Sequence, residues 1–145
     1  MKALKYLTVL TLPIISLISI HQQGWLTFLP LLYAFGFIPF LELFMRPDTS
    51  NLSKEEEASF VQDKSFDVMI YLAGAFHIFF FLYFFLIGVY HETDLLTHSG
   101  NIFTLGLMCG IFGINIAHEL GHRVKKSEQL FAKLLLATSL YMHFF

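Results

Sequence analysis

The length of its uncharged apolar runs constrains this chain more than anything else. Ile102 to Ala117 is apolar and carries no charge, and Val68 to Tyr90 is a second long apolar run, crowded with aromatics from Phe76 to Phe85. Wound as a helix at 1.5 Å per residue, a run such as 68–90 reaches across about 30 Å of hydrocarbon. The composition demands the same reading. With 56% hydrophobic residues, 14% charged residues and 18 Phe in 145 positions, the chain has more apolar surface than a soluble domain of this size can hide, so the surplus faces lipid. The net charge of −2 gives no pointer to nucleic acid. Cys109 is the one cysteine. It cannot form an internal disulfide, and it reads as a packing residue.

Lys2 and Lys5 precede an apolar run over 6–20, and a second run over 25–45 follows the turn His21-Gln22-Gln23-Gly24. No small-x-small cleavage site follows the first run, so a membrane hairpin fits better than a signal peptide. Pro13, Pro30 and Pro39 should bend these helices. The polar stretch 46–66 reads as a loop, with Ser53 and Glu56 as a capping box for a short surface helix from about Lys54 to Asp63. Glu55, Glu56 and Glu57 read as its solvated first turn. Membrane helices follow over 68–90 and 100–118, joined by a polar connection. Gly106 and Gly110 give the last of these a small face for close helix approach. The apolar stretch 130–145 starts a fifth helix and runs to the last residue without a polar cap, as expected of a piece of a longer protein. The expected fold is an all-α membrane protein, with four transmembrane helices and the start of a fifth in one domain over 1–145.

Charge fixes the expected orientation. With the N-terminus inside and the spans alternating, the inner segments hold Lys2 and Lys5, then Arg46, Lys54 and Lys64, then Arg123, Lys125, Lys126 and Lys133. These are all nine basic residues of the chain, and the two outer connections hold none. Such asymmetry predicts an N-terminus, a 46–66 loop and a segment after residue 118 that are all cytoplasmic.

The chemistry sits where the fourth apolar run meets that charge, at Asn115-Ile116-Ala117-His118-Glu119-Leu120-Gly121-His122-Arg123. His118 and His122 are four apart, so on a helix both imidazoles share one face, one turn apart. They can bind one metal ion, or one ion each of a close pair. His-Glu-x-x-His is also the zinc metalloprotease signature, in which Glu119 is the base that activates water. That reading needs a third ligand, and the remaining residues offer no convincing one.

Ala117-His118-Glu119-Leu120-Gly121-His122-Arg123, with Leu130-Phe131-Ala132-Lys133-Leu134-Leu135-Leu136 and Tyr141-Met142-His143-Phe144-Phe145 after it, resembles the integral-membrane alkane 1-monooxygenases of the desaturase and hydroxylase superfamily. The resemblance reaches back through Asp48-Thr49-Ser50-Asn51 and Glu55-Glu56-Glu57-Ala58. The family's first histidine box is His-Glu-Leu-Gly-His followed by Lys or Arg, matched by His118 to Arg123. Its later boxes have no counterpart here. The resemblance implies a six-helix, desaturase-like bundle whose histidines hold two iron ions at the cytoplasmic side of a bacterial inner membrane. It implies terminal hydroxylation of medium-chain alkanes with O2, and electrons from rubredoxin and its reductase. On this reading His118 and His122 are metal ligands and Glu119 orients an imidazole from behind. Imidazole suits iron, and apolar, aromatic helices suit a substrate that arrives from the bilayer.

Further residues follow from position. Asn115 lies near the histidine face and is placed to bond a group at the metal. Phe112 and Phe35 are candidates to narrow a substrate channel. Arg123, Lys125 and Lys126 form a basic rim suited to acidic lipid or a small acidic electron carrier such as rubredoxin. His77, deep in the third helix, is expected as a neutral imidazole bonded to a neighbouring helix. His143 is expected to pack or to support the site rather than to ligate.

Overall fold

The structure is a computed structural model and describes residues 8–45, 63–88 and 94–144. Its elements in order are α1 (Thr11–Ser19), α2 (Gly24–Glu42), α3 (Ser65–Ile87), α4 (Leu95–Gly121) and α5 (Lys126–Thr138), then a short 3-10 turn, Met142–Phe144. The described residues contain no strand. Three helices, α2, α3 and α4, are long and apolar enough to cross a membrane, which marks a membrane protein. With its leading turn α1 runs Thr8–Ser19 and is shorter, about 18 Å by helix rise. The sequence suggested four spanning helices, and α1 falls short of that length. The expected capping box at Ser53 and the surface helix from Lys54 to Asp63 lie almost wholly outside the described residues.

Several helix ends differ from the sequence expectation, each for a local reason. α3 begins at Ser65 rather than 68, where the Asp63 carboxylate accepts from the Ser65 amide at 3.0 Å. α4 begins at Leu95, five residues before the expected start. Asp94 caps it, accepting from the Leu96 and Thr97 amides at 2.9 and 3.1 Å, which satisfies amides that a helix start leaves bare. α5 begins at Lys126 and ends at Thr138 instead of running over 130–145. At its end the Tyr141 amide donates to the Leu136 carbonyl (2.9 Å) and the Leu140 amide to that of Ala137 (3.2 Å), the paired bonds of a Schellman cap. Leu140 takes the left-handed position, φ 55, which glycine usually fills.

The prolines of α2 fall where its helical repeat changes. Pro30 and Pro39 each sit within the first two residues of an α-helical segment of α2, on either side of a π-helical stretch, Tyr33–Phe37. Each proline removes an N–H from the ladder where the helix changes its repeat, from a 3-10 turn before Pro30 and from the π turn before Pro39.

Two polar ends frame the bundle. At one end Gly24, φ +60, lets the α1–α2 turn double back, and its amide donates to the Thr97 hydroxyl at 2.7 Å. Thr104 donates to the Thr27 carbonyl at 2.9 Å, and the Tyr83 hydroxyl bonds His21 at 2.9 Å. A Cβ on Gly100 would lie 1.9 Å from the Thr27 hydroxyl, so α2 and α4 touch there only because residue 100 has no side chain. At the other end lie the His pair and the charges.

Between the ends, Leu12 and Ile20 from α1 pack with Ala73, Phe80 and Phe84 from α3 and Met108 and Phe112 from α4. A second cluster joins Ala117 and Leu120 of α4 to Ala132, Leu135 and Leu136 of α5. Lipid is as apolar as leucine, so these contacts hold by close packing and polar links rather than by exclusion of water. Gly113 is a second close-approach glycine of α4, facing α3 and α5. A Cβ there would lie 3.1 Å from His77 Nε2 and 3.3 Å from the Thr138 hydroxyl. Gly106 and Gly110, expected to give that face, have nothing within 4 Å. His77 is fully buried and bonds Thr138 of α5 at 2.8 Å, the interhelical bond the sequence suggested.

Candidate metal centre

α4 reaches the site through a π-helical stretch, Cys109–Ile114, before returning to α-helix over Asn115–Gly121. A π turn inserts one residue into the helical repeat and turns the following face. One inserted residue brings His118 and His122 to the places on the helix that residues 117 and 121 would otherwise take, on the exposed side that also carries Gly106. His118 and His122 converge. Their Nε2 atoms lie 3.0 Å apart, with ring centroids at 4.6 Å and planes at 84°. Both side chains are exposed.

Two nitrogens 3.0 Å apart can sit on one ion. With metal–nitrogen distances of about 2.1 Å, that separation corresponds to an angle of roughly 90° at the metal. The end of a helix also favours a cation. The pair thus fits one corner of a metal site. Among the described residues no group of three or more His, Cys, Asp or Glu side chains is placed to hold a metal ion, so the pair supplies two donors where zinc or iron takes four or more. The expected Asn115 is exposed at the first position of this last α-helical segment.

Glu119 turns to Arg123, Oε1 to Nη2 at 3.3 Å. Arg123 is the hub of an ion cluster that joins three helices. Its Nη1 lies 2.7 Å from Asp67 of α3 and 3.3 Å from Glu128 of α5. Tyr71 donates to the same Glu128 oxygen, and Lys125 approaches it at 3.7 Å. Three carboxylates against two cations leave the cluster one negative charge. Partial burial works against the Arg123 charge. The bonds to Asp67 and Glu119 and the charge of Asp67 outweigh it and hold the guanidinium above its ordinary pKa. The Tyr71 hydrogen bond holds Glu128 below the usual carboxylate value against the opposing effect of burial, with Lys125 and Arg123 adding to it. Of the three residues of the basic rim, Arg123 faces inward at 23% exposure while Lys125 is 74% exposed; Lys126 is exposed as well.

Asp67, Tyr71 and Glu128 were missed in the sequence. A signal was there: Asp67 and Tyr71 are four apart, hence on one face, at the end of an apolar run that the charge pattern places beside Arg123.

Phe112 and Phe35 do not line one channel. Phe112 is buried in the α1–α3–α4 core and borders an apolar cavity of about 250 Å³ with Val9, Phe66, Met69, Ile70 and Ile116. Phe35 is 71% exposed and borders a separate groove on α2 with Trp25, Phe28 and Leu32. The Phe112 cavity reaches Ile116, which, two residues before His118, points to the other side of α4. His143 stacks edge-on against Tyr141, with centroids at 4.3 Å.

No family model matches the chain, and no solved structure matches it. Curated proteins do. Alkane 1-monooxygenase 1 of Alcanivorax borkumensis is 30% identical over 142 residues, covering 92% of this chain and 33% of its own length. The alkane 1-monooxygenase of Ectopseudomonas oleovorans is 29% identical over 154 residues, covering 97% of this chain and 37% of its own length. That of Pseudomonas putida is 27% identical over 138 residues, at 92% and 33%. Nothing in these comparisons supports a zinc metalloprotease. Over nearly its whole length this chain is related to the alkane 1-monooxygenases, and it spans about a third of the length of the relatives it matches.

Proposed function

We propose that this chain is the first-histidine-box part of a membrane non-haem diiron monooxygenase that hydroxylates the terminal carbon of medium-chain alkanes with O2. The observation that carries the reading is the convergent pair, His118 and His122 with Nε2 atoms 3.0 Å apart at the charged end of a helix long enough to span a membrane. Likeness to proteins named alkane 1-monooxygenase supports the substrate class.

The two imidazoles bind iron, and the complete centre draws its other ligands from later histidine boxes. Iron held there supplies the redox chemistry with O2 that an unactivated C–H bond demands and that acid–base side chains lack. The chain's own residues supply placement. The apolar cavity beside Phe112 and Ile116 accepts a substrate with no polar handle, delivered from the bilayer. Phe112 bounds that cavity. Phe35, on α2, acts on a separate stretch of the route. Asn115 precedes the pair by three residues and Glu119 lies between its two histidines, turned to Arg123.

We place the site on the cytoplasmic face of a bacterial inner membrane, within a six-helix bundle of which α1 to α4 are the first four spans. The charge asymmetry supports this orientation. The position of α1 supports its counting as a span. Its turn meets the start of α4 at Thr97, while Val9 borders the same cavity as Ile116 near the other end. Lys125 and Lys126 form the docking rim for rubredoxin, which its reductase recharges.

The test is octane turnover by membranes carrying the complete protein, later histidine boxes included, with rubredoxin, rubredoxin reductase and NADH; these 145 residues alone are expected to be inactive. 1-Octanol is the expected product, absent for His118→Ala and His122→Ala. Turnover that persists in both variants overturns the reading.

A further inference from the structure

The His pair occupies a precarious place in the fold. α4 ends at Gly121, and His122 is already the residue beyond, φ −78 and ψ −9. Val124 is 95% exposed and Lys125 is extended before α5 begins. Helix ends fray because their last carbonyls lack amide partners. If this one opens by a single turn, His122 leaves the face it shares with His118 and the pair is lost.

What holds the end is the residue next to His122. The Arg123 amide donates to the Leu120 carbonyl at 3.2 Å, continuing the helical turn. Its own carbonyl accepts from Gln129 Nε2 of α5 at 2.9 Å. Its guanidinium reaches Asp67 on α3 at 2.7 Å, Glu128 on α5 at 3.3 Å, and Glu119 one turn back at 3.3 Å. Glu128 is itself buried and fixed by Tyr71 of α3. One side chain therefore ties the terminal turn of α4 to both neighbouring helices, with every partner on a rigid element.

We propose that Arg123 is a positioning residue, clamping the end of α4 to α3 and α5 so that His118 and His122 stay preorganised for a shared metal ion. The inference rests on the metal-binding reading of the pair. It assigns Arg123 inward, to the geometry of the site, and leaves Lys125 and Lys126 as the outward charges. The same geometry distinguishes arginine from lysine. Asp67 and Glu128 share Nη1, a place one ammonium can take, whereas Glu119 uses Nη2, which lysine lacks.

The probe is Cu(II)–iminodiacetate, a chelate that keeps coordination positions open for two imidazoles, added to the full chain in detergent micelles and read by electron paramagnetic resonance. Wild type is expected to show nitrogen hyperfine structure from two imidazoles. At unchanged helicity, Arg123→Met should bind the probe at least about 10-fold more weakly and shift to a one-imidazole spectrum, and Arg123→Lys should recover most of the loss. A well-folded Arg123→Met protein with wild-type affinity and a two-imidazole spectrum overturns the proposal. So does an Arg123→Lys protein as impaired as Arg123→Met. If Arg123→Met does not fold, Gln129→Ala decides, since it removes only the bond to the Arg123 carbonyl. A loss of at least about threefold is expected for it, and wild-type affinity refutes the clamp. Wild type that binds the probe no better than His118→Ala refutes instead the metal-binding reading underneath.

Discussion

Gly110 and Gly113 lie in the same π-helical stretch of α4, three residues apart, and an added methyl group should have opposite effects at the two. At Gly110 a Cβ meets nothing within 4 Å. Only the backbone term remains there, and Gly→Ala in a helix stabilises by about 0.5–1 kcal/mol. At Gly113 the same Cβ falls 3.1 Å from His77 Nε2, 3.3 Å from the Thr138 hydroxyl and 3.5 Å from the Leu135 carbonyl oxygen. None of these gives way easily. His77 and Thr138 are locked to each other at 2.8 Å, and the third atom is backbone. Overpacking costs about 1–3 kcal/mol, and displacing the His77–Thr138 bond adds about 1 kcal/mol. Against a backbone gain of about 1 kcal/mol, Gly113→Ala should destabilise by about 1–3 kcal/mol. The assay is unfolding of the chain from mixed micelles by added sodium dodecyl sulfate, followed by circular dichroism. Gly110→Ala should raise the midpoint and Gly113→Ala should lower it. Equal shifts of the same sign would refute the α3–α4–α5 contact at Gly113.

Three further outcomes are expected. Leu140→Gly should stabilise the chain by about 0.5–1 kcal/mol in the same assay, because glycine removes the left-handed strain at φ 55 at some cost in unfolded-state entropy. Stability should fall in acid. Glu128 has its native pKa below the ordinary 4.5, so its contribution is complete above 4.5 and is lost as pH falls through the lower native value. Glu128→Gln should flatten that acid limb of the unfolding midpoint against pH. Reversing Lys125 and Lys126 to Glu should slow reduction by rubredoxin in stopped-flow measurements at low salt, with iron content unchanged.

Much of the architecture was legible because membrane helices announce themselves by run length. The long runs around residues 30, 78 and 110 and the hairpin turn at His21–Gly24 could be read from apolarity alone. The His pair could be read because a spacing of four is a local property of a helix. What escaped was either non-local or invisible to a 3.6-residue period. The π stretch at Cys109–Ile114 shifts the helical repeat before the His pair, and the contact falls at Gly113 while Gly106 and Gly110 face open space. The Arg123 cluster joins residues 67, 71, 123 and 128. Their partnership depends on how α3 and α5 dock, so a local reading assigned Arg123 to the surface with its lysine neighbours. Phe35 and Phe112 were paired by an expectation about a channel, and folding sends them to different cavities. The end of α5 was missed because its cap uses Leu140, a residue that gives no stop signal.

The central claim is that His118 and His122 hold iron, and metal content tests it most directly. The complete protein, later histidine boxes included, purified from membranes of cells grown with 57Fe, is compared with its His118→Ala/His122→Ala variant by elemental analysis and Mössbauer spectroscopy. The account predicts non-haem iron in the wild type and its loss in the variant. Iron that is indifferent to the substitution, or zinc in its place, would contradict it.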